Sequence, residues 1–307
     1  MIERDLDLVD GFGYLSLAVH DLDAAVWFYR QVIRLEVVEE RPGVVYLTGD
    51  QNHHWLRLKQ SDQSRLLRVG YRATSAAALD IVRERLTAAG VAYHDRVGTD
   101  DDQVTGGLHF RDPAGLEIDL YEEMQQLPAS AAEPDVGFTC NLHAVLSVPD
   151  VVANAAFYRE TLGFRRSDQL LDLVIFLRSG NRYHHSLAFS KGEPGLDHFC
   201  VLVRSVDELM RLRTHLQRTG ALGDDLVKHA ASGSISVYAH DPVSDSGVEF
   251  CTGHAVIGDD SYNGRMLKPG PTTVNLWAKP FPQRGEAPAL TTKGGPGSRA
   301  AALAVQS

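Results

Sequence analysis

The chain has 307 residues, 44% of them hydrophobic and 23% charged, and its formal net charge is -10 at pH 7. A chain of this length suits two domains, and an acidic surface attracts neither nucleic acid nor an anionic membrane. The sequence contains no apolar run long enough to predict a membrane span. It has three cysteines, Cys140, Cys200 and Cys251, an odd number of widely spaced residues that does not suggest a disulfide framework. We therefore expect a cytoplasmic protein with reduced thiols.

The first half is predicted to run strand, helix, strands, and then the same again. Residues 13–19 alternate as a strand does, and Asp21 suits the N-cap of an amphipathic helix over residues 24–33. Short strands are predicted at residues 44–47, 55–58, 66–71, 108–111 and 116–121, with a second helix over residues 76–89 that Ser75 begins and Gly90 ends.

The second half repeats the first at a nearly constant spacing. The helical stretch from Asp21 recurs from Asp150, the His53-His54 doublet recurs as His184-His185, and the Asp112-Pro113 turn recurs as Asp241-Pro242. Such matches indicate two homologous halves. We predict an N-terminal domain over residues 1–126, a C-terminal catalytic domain over residues 137–257, and a partly disordered tail over residues 258–307.

Several polar side chains of the second half are predicted to share one face of a sheet. Period-two alternation places His198, Tyr238 and Glu249 on polar strand faces, opposite apolar faces suited to packing under helices. With His143 on an earlier strand, these residues supply two imidazoles and one carboxylate that no nearby charge neutralises. That set is typical of non-haem Fe(II) oxygenases. The alternative for each histidine is a satisfied core or surface residue.

The repeat provides an internal control for the metal hypothesis. The first-half positions aligned with His143, His198 and Glu249 are Tyr14, Arg68 and Glu117, so only the second half is equipped for a metal. The histidine doublet occurs in both halves, and adjacent strand residues point to opposite faces. One of His184 and His185 can therefore reach the metal pocket, and the pattern alone leaves open which.

At these residues the chain resembles the type I extradiol catechol dioxygenases of the vicinal oxygen chelate superfamily, over about residues 8–254. The resemblance implies an α+β fold of two tandem domains. Each domain would contain two βαβββ modules that form a cupped mixed sheet with helices outside, and only the second would bind a metal.

The resemblance also implies roles for individual residues. The family's Fe(II) ligands match His143, His198 and Glu249. Its acid–base histidine, the second of a doublet, matches His185, and its substrate-binding histidine and tyrosine match His229 and Tyr238. The chain departs from the biphenyl-type pattern at Ser232, where an aspartate is usual, and carries an extra residue before Glu249. These departures bear on which substrate the protein uses and not on whether it binds the metal.

The implied activity is extradiol ring cleavage of a catechol by O2 to a muconic semialdehyde-type product, in a homo-oligomer. His185 would take up and return a proton, while His229 and Tyr238 hydrogen-bond the substrate oxygens. Mn(II) is the alternative metal because the same ligands suit both. The rival functions are a metal-dependent isomerase or lyase of the glyoxalase type, and a non-catalytic binding or resistance protein. For Tyr238 the alternative is a core tyrosine, and small-residue packing is expected of the cysteines.

Overall fold

The structure is a computed structural model that describes residues 7–96, 103–128 and 136–279. The predicted linker at 127–136 lies mostly outside these ranges, as does the predicted disorder beyond Pro282. Within them, no helix is long and apolar enough to cross a membrane.

The first half forms one eight-stranded sheet from two βαβββ modules. The first module contains β1 (Val9–Val19), α1 (Leu22–Trp27), β2 (Glu36–Arg41), β3 (Val44–Thr48) and β4 (Leu56–Gln60). The second contains β5 (Arg65–Ala73), α2 (Ala76–Ala88), β6 (Tyr93–Arg96), β7 (Val104–Arg111) and β8 (Glu117–Met124). The strand order is β2-β3-β4-β1-β5-β8-β7-β6, with parallel and antiparallel neighbours.

The second half repeats this arrangement. Its first module contains β9 (Phe138–Val148), α3 (Val151–Leu162), β10 (Arg165–Leu170), β11 (Val174–Arg178) and β12 (Leu187–Lys191). Its second contains β13 (Gly195–Val203), α4 (Val206–Thr219), β14 (Val227–Lys228), β15 (Ile235–His240) and β16 (Gly247–Thr252). The chain then adds β17 (Arg265–Met266) at the sheet edge beside β10, followed by α5 (Pro271–Val274). The predicted α+β class with mixed sheets is confirmed.

The predicted helix over residues 24–33 differs from the observed one. Asp21 caps α1 as expected, its Oδ1 accepting from the Ala24 N–H at 3.0 Å. The helix is regular only to Trp27, and its next turn widens into a π-helix over Phe28–Val32, where the Ile33 N–H bonds the Phe28 carbonyl.

Buried polar pairs join the two halves with the symmetry of the repeat. The Tyr29 hydroxyl donates to Asp241 at 2.8 Å, and the equivalent Tyr158 hydroxyl donates to Asp112 at 3.2 Å. Asn154 also donates to Asp112, at 3.0 Å. Each carboxylate therefore receives a proton donor from the other half. Buried carboxylates need hydrogen-bond donors, and here the donors come from the helix of the other half. This requirement explains why the helix motif and the Asp-Pro turn both recur in the repeat.

Candidate metal centre

Four neighbouring strands bring the predicted site residues into one row. Cys200 of β13 pairs with His143 of β9 on one side and with Glu249 of β16 on the other. Glu249 in turn pairs with Tyr238 of β15. Directly paired residues project from the same face of a sheet, and His198 shares it because it lies two residues before Cys200.

His143, His198 and Glu249 converge on this face. The Nε2 atoms of His143 and His198 lie 3.1 and 3.3 Å from Glu249 Oε2, and the ligand atoms of the three residues lie within 4.8 Å of one another. His143 and Glu249 are 1% and 2% exposed. Two imidazole nitrogens and a buried carboxylate oxygen therefore surround one point.

The charge balance at this point favours a cation. Burial acts to raise the pKa of Glu249, but hydrogen bonds from His143, His198 and His229 outweigh it, so the pKa is well below its usual value. In the described ranges no lysine or arginine contacts this carboxylate. A buried ionised carboxylate is costly unless it is paired or binds a metal, so the donor set fits a divalent ion.

Asp197 orients the second histidine. Its Oδ1 lies 2.6 Å from His198 Nδ1, which leaves Nε2 directed at Glu249. Burial acts to lower the pKa of His198, but Asp197 and Glu249 raise it to about 9. Such a carboxylate behind a histidine fixes the ring and raises its basicity as a ligand.

The histidine doublet is divided between two environments. The segment that carries it is not a regular strand, but its two rings still diverge. His184 Nε2 lies 3.0 Å from the buried Asp168, while the His185 ring centroid lies 4.1 Å from that of His143. The pKa of His185 lies well below its usual value. Burial is the largest cause, and the neighbouring His143 and His254 lower the pKa further. Of the two, His185 lines the pocket at the candidate centre.

His229 and Tyr238 lie on the other side of Glu249. The Tyr238 hydroxyl lies 2.9 Å from His229 Nε2, and the same nitrogen lies 3.3 Å from Glu249 Oε1. Burial and the Glu249 charge hold the pKa of Tyr238 well above its usual value, so the phenol stays protonated. All six predicted site residues therefore lie around one pocket.

Sequence reasoning missed His254. Its ring centroid lies 4.7 Å from His185 and 5.6 Å from His143, and both of its nitrogens are buried without a protein hydrogen bond in the described ranges. The equivalent position in the first half is Met124. Extending the repeat comparison beyond Glu249 would have shown this methionine-to-histidine difference.

One predicted correspondence is wrong. Glu249 pairs with Cys200 and Tyr238, and the equivalent position of the first half pairs with Gly70 and His109. That position is Asp119, not Glu117. The turn after Asp241 is one residue longer than the turn after Asp112, whereas aligning Glu117 with Glu249 would require three extra residues.

Asp119 has the protein's own cations as partners. It is fully buried, lies 3.2 Å from Arg68 and pairs with Arg96. It also accepts a hydrogen bond from Tyr14, the residue equivalent to His143. The first half therefore neutralises the equivalent carboxylate with guanidinium groups and needs no metal there.

The cysteines of the second half pack beside the centre as neutral thiols. Cys200 and Cys251 are fully buried and form a small apolar cluster with Leu142. Burial holds the pKa of both thiols above the usual range. A thiol that stays protonated is a poor metal ligand, which agrees with the expected packing role.

The pocket beside the centre has a volume of about 240 Å³. Its far wall is mainly apolar and includes Val145, Leu170, Val174, Phe176 and Ala188, and the segment after β16 adds Leu267 and Val274. Its lining contains no lysine or arginine among the described residues. The pocket thus has the candidate metal ligands on one side, and the rest of its lining is mainly apolar.

A sequence model of the Glyoxalase/Bleomycin resistance protein/Dioxygenase superfamily matches residues 11–120 and again residues 142–251, one match in each half. The chain belongs to this superfamily. Its vicinal oxygen chelate fold and the resemblance drawn from the sequence are thereby confirmed.

Individual relatives agree with this assignment. The chain is 27% identical over 261 residues to a biphenyl-2,3-diol 1,2-dioxygenase of Pseudomonas sp., covering 79% of this chain and 89% of the relative. It is 28% identical over 300 residues to an iron-dependent extradiol dioxygenase of Rhodococcus jostii, covering 89% and 97%. Among solved structures, the Mn(II)-bound glyoxalase from Novosphingobium aromaticivorans superposes with a TM-score of 0.81 at 26% identity, covering 91% and 96%.

Proposed function

We propose that this chain is an extradiol ring-cleaving dioxygenase. It opens a catechol beside its two hydroxyls, incorporates both atoms of O2, and gives a muconic semialdehyde-type product. The observation that carries the proposal is the buried Glu249, which faces three imidazoles and is paired with no guanidinium group among the described residues. The two relatives named as dioxygenases support the same activity.

The metal of this proposal is Fe(II), held by His143, His198 and Glu249. Bound there, it would supply the Lewis acidity that lowers the pKa of the catechol hydroxyls and the redox activity that O2 requires. The iron-dependent relative supports this choice. Mn(II) is the alternative, because the same ligands suit it and one structural neighbour contains it.

His185 serves as the base. With His184 Nε2–H donating to Asp168, the other nitrogen of a neutral His184 is an acceptor. That Nδ1 lies 3.0 Å from His185 Nδ1 and so accepts a hydrogen bond from the His185 Nδ1–H, which leaves the lone pair of His185 on Nε2. The lowered pKa keeps His185 neutral at pH 7. It can therefore take a proton from a catechol hydroxyl and return it later in the reaction.

His229 and Tyr238 orient the substrate oxygens. Their mutual hydrogen bond fixes both groups beside Glu249, and the phenol keeps its proton because its pKa is raised. A fixed neutral donor can stabilise negative charge as it develops on an oxygen. The apolar body of the pocket would receive the rest of the ring and exclude water from it.

The test is oxygen uptake by protein reconstituted anaerobically with Fe(II), using substrates from catechol to 2,3-dihydroxybiphenyl. We expect one O2 consumed per catechol and a yellow ring-opened product. Metal bound at the three ligands with no oxygen uptake on any catechol would contradict the proposal.

The second candidate is a metal-dependent isomerase or lyase of the glyoxalase type. The Mn(II)-bound glyoxalase among the structural neighbours favours it. It predicts turnover of a hemithioacetal of methylglyoxal by the Mn(II)-loaded protein without oxygen consumption. The His184–His185 arrangement favours the dioxygenase instead, as does the separate first half, in which the equivalent carboxylate Asp119 pairs with guanidinium groups.

We also expect a homo-oligomer in the cytoplasm. Trp27, Met266, Val274 and Trp277 are each more than half exposed in the single chain. Large apolar side chains in solvent are the usual material of an interface. Light scattering on the metal-loaded protein would test this, and a monomeric mass would contradict the oligomer.

A further inference from the structure

The segment that follows β16 connects two parts of the candidate centre that are distant in the chain. The His184 N–H donates to the Ala255 carbonyl at 2.7 Å, and the Ala255 N–H donates to the Ser232 carbonyl at 2.9 Å. Ala255 therefore lies between the histidine doublet and the turn that follows His229. The second superfamily match ends at residue 251, so this segment lies outside both matched modules.

Arg265, at the start of β17, binds one buried carboxylate with both its backbone and its side chain. Its backbone N–H donates to Asp168 Oδ1 at 2.8 Å, and its Nη2 donates to Asp168 Oδ2 at 2.5 Å. Its Nε lies 3.1 and 3.2 Å from the two oxygens. Oδ2 also lies 3.0 Å from His184 Nε2. The guanidinium group and the imidazole therefore share one carboxylate oxygen.

The same guanidinium group reaches the turn after His229. Arg265 Nη2 lies 2.8 Å from the carbonyl oxygen of Ala231 and 3.3 Å from that of Ala230. This turn begins directly after His229. One side chain thus binds both the carboxylate behind the histidine doublet and the backbone beside His229.

The position of both partners matters to the proposed chemistry. Asp168 orients His184, which in turn accepts the hydrogen bond that leaves His185 with its lone pair on Nε2. The turn fixes where the ring of His229 begins. A planar guanidinium group presents its donors in fixed directions and so can hold two partners in one geometry. A misplacement of about 1 Å in a site of this kind can cost about 10²-fold in rate.

The first half supports its own doublet without such a connection to another segment. Glu39 Oε2 lies 3.1 Å from His53 Nε2, in the same arrangement as in the second half. The guanidinium group beside Glu39 belongs to Arg41 of the same strand, β2. A carboxylate of this kind can therefore be paired from its own strand. What Arg265 adds, from a segment beyond the modules, is the contact with the turn.

We propose that Arg265 is a positioning residue of the ring-cleavage reaction. It holds the support of the base His185 and the backbone beside the substrate-binding His229 in one arrangement. Arg265 is not among the described residues that line the pocket, so it acts through these neighbours. The effect on rate rests on the proposed dioxygenase activity, whereas the effect on the two histidines can be measured without it.

The kinetic test is Arg265→Gln in Fe(II)-loaded, full-length protein, with the catechol that the wild type cleaves fastest. Iron content should equal that of the wild type, because no proposed ligand is altered. We expect kcat per iron-loaded chain to fall by about 10–100-fold, the scale of a small misplacement, while KM stays near the wild-type value. A residue that only stabilised the fold would lower the free energy of unfolding and leave kcat unchanged, and that result would overturn the proposal.

Two further variants separate arrangement from charge. Arg265→Lys keeps a positive charge near Asp168 but not the planar fork, so it should recover stability against urea and not the wild-type kcat. Full recovery of kcat by lysine would overturn the proposal, because charge alone would then suffice. The matched control Lys268→Gln removes an exposed cation from the same segment and should react as the wild type.

The second readout does not use turnover. In Zn(II)-loaded protein with isotope-labelled histidine, the hydrogen-bonded ring N–H groups of His184 and His185 should give low-field proton resonances, assigned with His184→Gln and His185→Gln. Arg265→Gln should shift or broaden both resonances, and Lys268→Gln should shift neither. Unchanged resonances in Arg265→Gln would overturn the proposal. If the wild type cleaved no catechol, the proposed activity would fail, and these spectra would still decide whether Arg265 positions the histidines.

Discussion

Asp119 and Glu249 occupy the same register position in the two halves, yet Asp119 pairs with Arg68 and Arg96 while Glu249 faces imidazoles and, among the described residues, no guanidinium group. The two carboxylates are both buried and both need positive charge nearby. In the first half the protein supplies that charge itself. In the second half a metal would supply it, and this difference distinguishes the half that we propose to be catalytic from the other.

Glu249→Gln should remove the metal from the protein. The amide keeps the shape of the side chain but not the charge, so we expect the affinity for Fe(II) to fall by ~100-fold or more. Replacing a residue that only hydrogen-bonds a metal ligand costs about 10–100-fold in metal affinity, and the loss of a ligand should cost more. Metal content after anaerobic loading and desalting measures this. Added metal should also raise the unfolding temperature of the wild type and not of the variant.

Asp119→Asn is the matched control for that prediction. It changes the equivalent carboxylate in the half without a metal, so metal content should stay at the wild-type level. Retention of stoichiometric iron by Glu249→Gln would show that the carboxylate is not a ligand.

His185→Gln should reduce turnover by about 10²–10⁴-fold while iron content stays unchanged, because the variant removes a general base and no metal ligand. Single-turnover kinetics with a catechol, alongside metal analysis, would measure both. Wild-type activity in an iron-loaded His185→Gln protein would rule out the assigned role.

His54→Gln offers a control from the same chain. His54 is the counterpart of His185, and its Nδ1 lies 3.2 Å from that of His53, whose Nε2 lies 3.1 Å from Glu39. The arrangement repeats the contacts among His185, His184 and Asp168 without a metal beside it. Turnover per folded chain should therefore be unchanged, which separates the structural role of the doublet from its chemistry.

The strands that carry the site could be predicted because their polar–apolar alternation and the internal repeat indicate the same strands. Tyr238 and Glu249 stand at polar positions between buried apolar residues, His198 precedes the buried Phe199, and the same strands recur in the first half. The edge strands β2 and β6 were not predicted. Both are rich in charged residues and contain no fully buried side chain, so they lack the apolar alternation on which strand prediction depends.

The contacts between distant segments could not be predicted from local pattern. The choice between His184 and His185 depends on Asp168, which lies 16 positions before His184 and pairs with it across the fold. His254 follows β16 on an irregular segment, where the alternation of side chains does not predict which way a side chain points. Glu117 was wrongly aligned with Glu249 for the same reason, because strand pairing is not visible in the local pattern. An insertion in the turn shifts the register of the following strand but leaves the sequence motif recognisable.

Neutral catechols should be better substrates than carboxylated ones. The pocket contains the carboxylates Asp197 and Glu249 and no lysine or arginine among its described lining residues, so a substrate carboxylate would be desolvated without a partner. We expect kcat/KM for 3-methylcatechol to exceed that for 2,3-dihydroxybenzoate by at least ~10-fold, the effect of about 1.4 kcal/mol. Equal values would show that a cation outside the described lining reaches the substrate.

Asp168→Asn should destabilise the second half at neutral pH. Asp168 is fully buried and accepts hydrogen bonds from His184, Tyr262 and Arg265. Replacing the charge weakens several of these at once. Because Arg265 is half-exposed, we expect a loss of about 1.5–3 kcal/mol in the free energy of unfolding, the range for hydrogen bonds to a charged group, rather than the larger cost of a fully buried pair. Urea unfolding at pH 7 measures it.

The same difference should disappear in acid. Burial acts to raise the pKa of Asp168, but His184 and Arg265 outweigh it and hold the pKa well below the ordinary value. A carboxyl whose folded-state pKa is lowered stabilises the protein above its unfolded pKa of about 3.9, and that contribution is lost as the pH falls below it. Because the folded-state pKa lies well below that value, the gap between wild type and Asp168→Asn should begin to narrow at about pH 4 and should close only as the pH falls through the folded-state pKa. Asp172→Asn, which alters an exposed partner of Lys191, should follow the wild type throughout. A gap between wild type and Asp168→Asn that stays constant down to pH 3 would mean that the carboxylate charge does not stabilise this cluster.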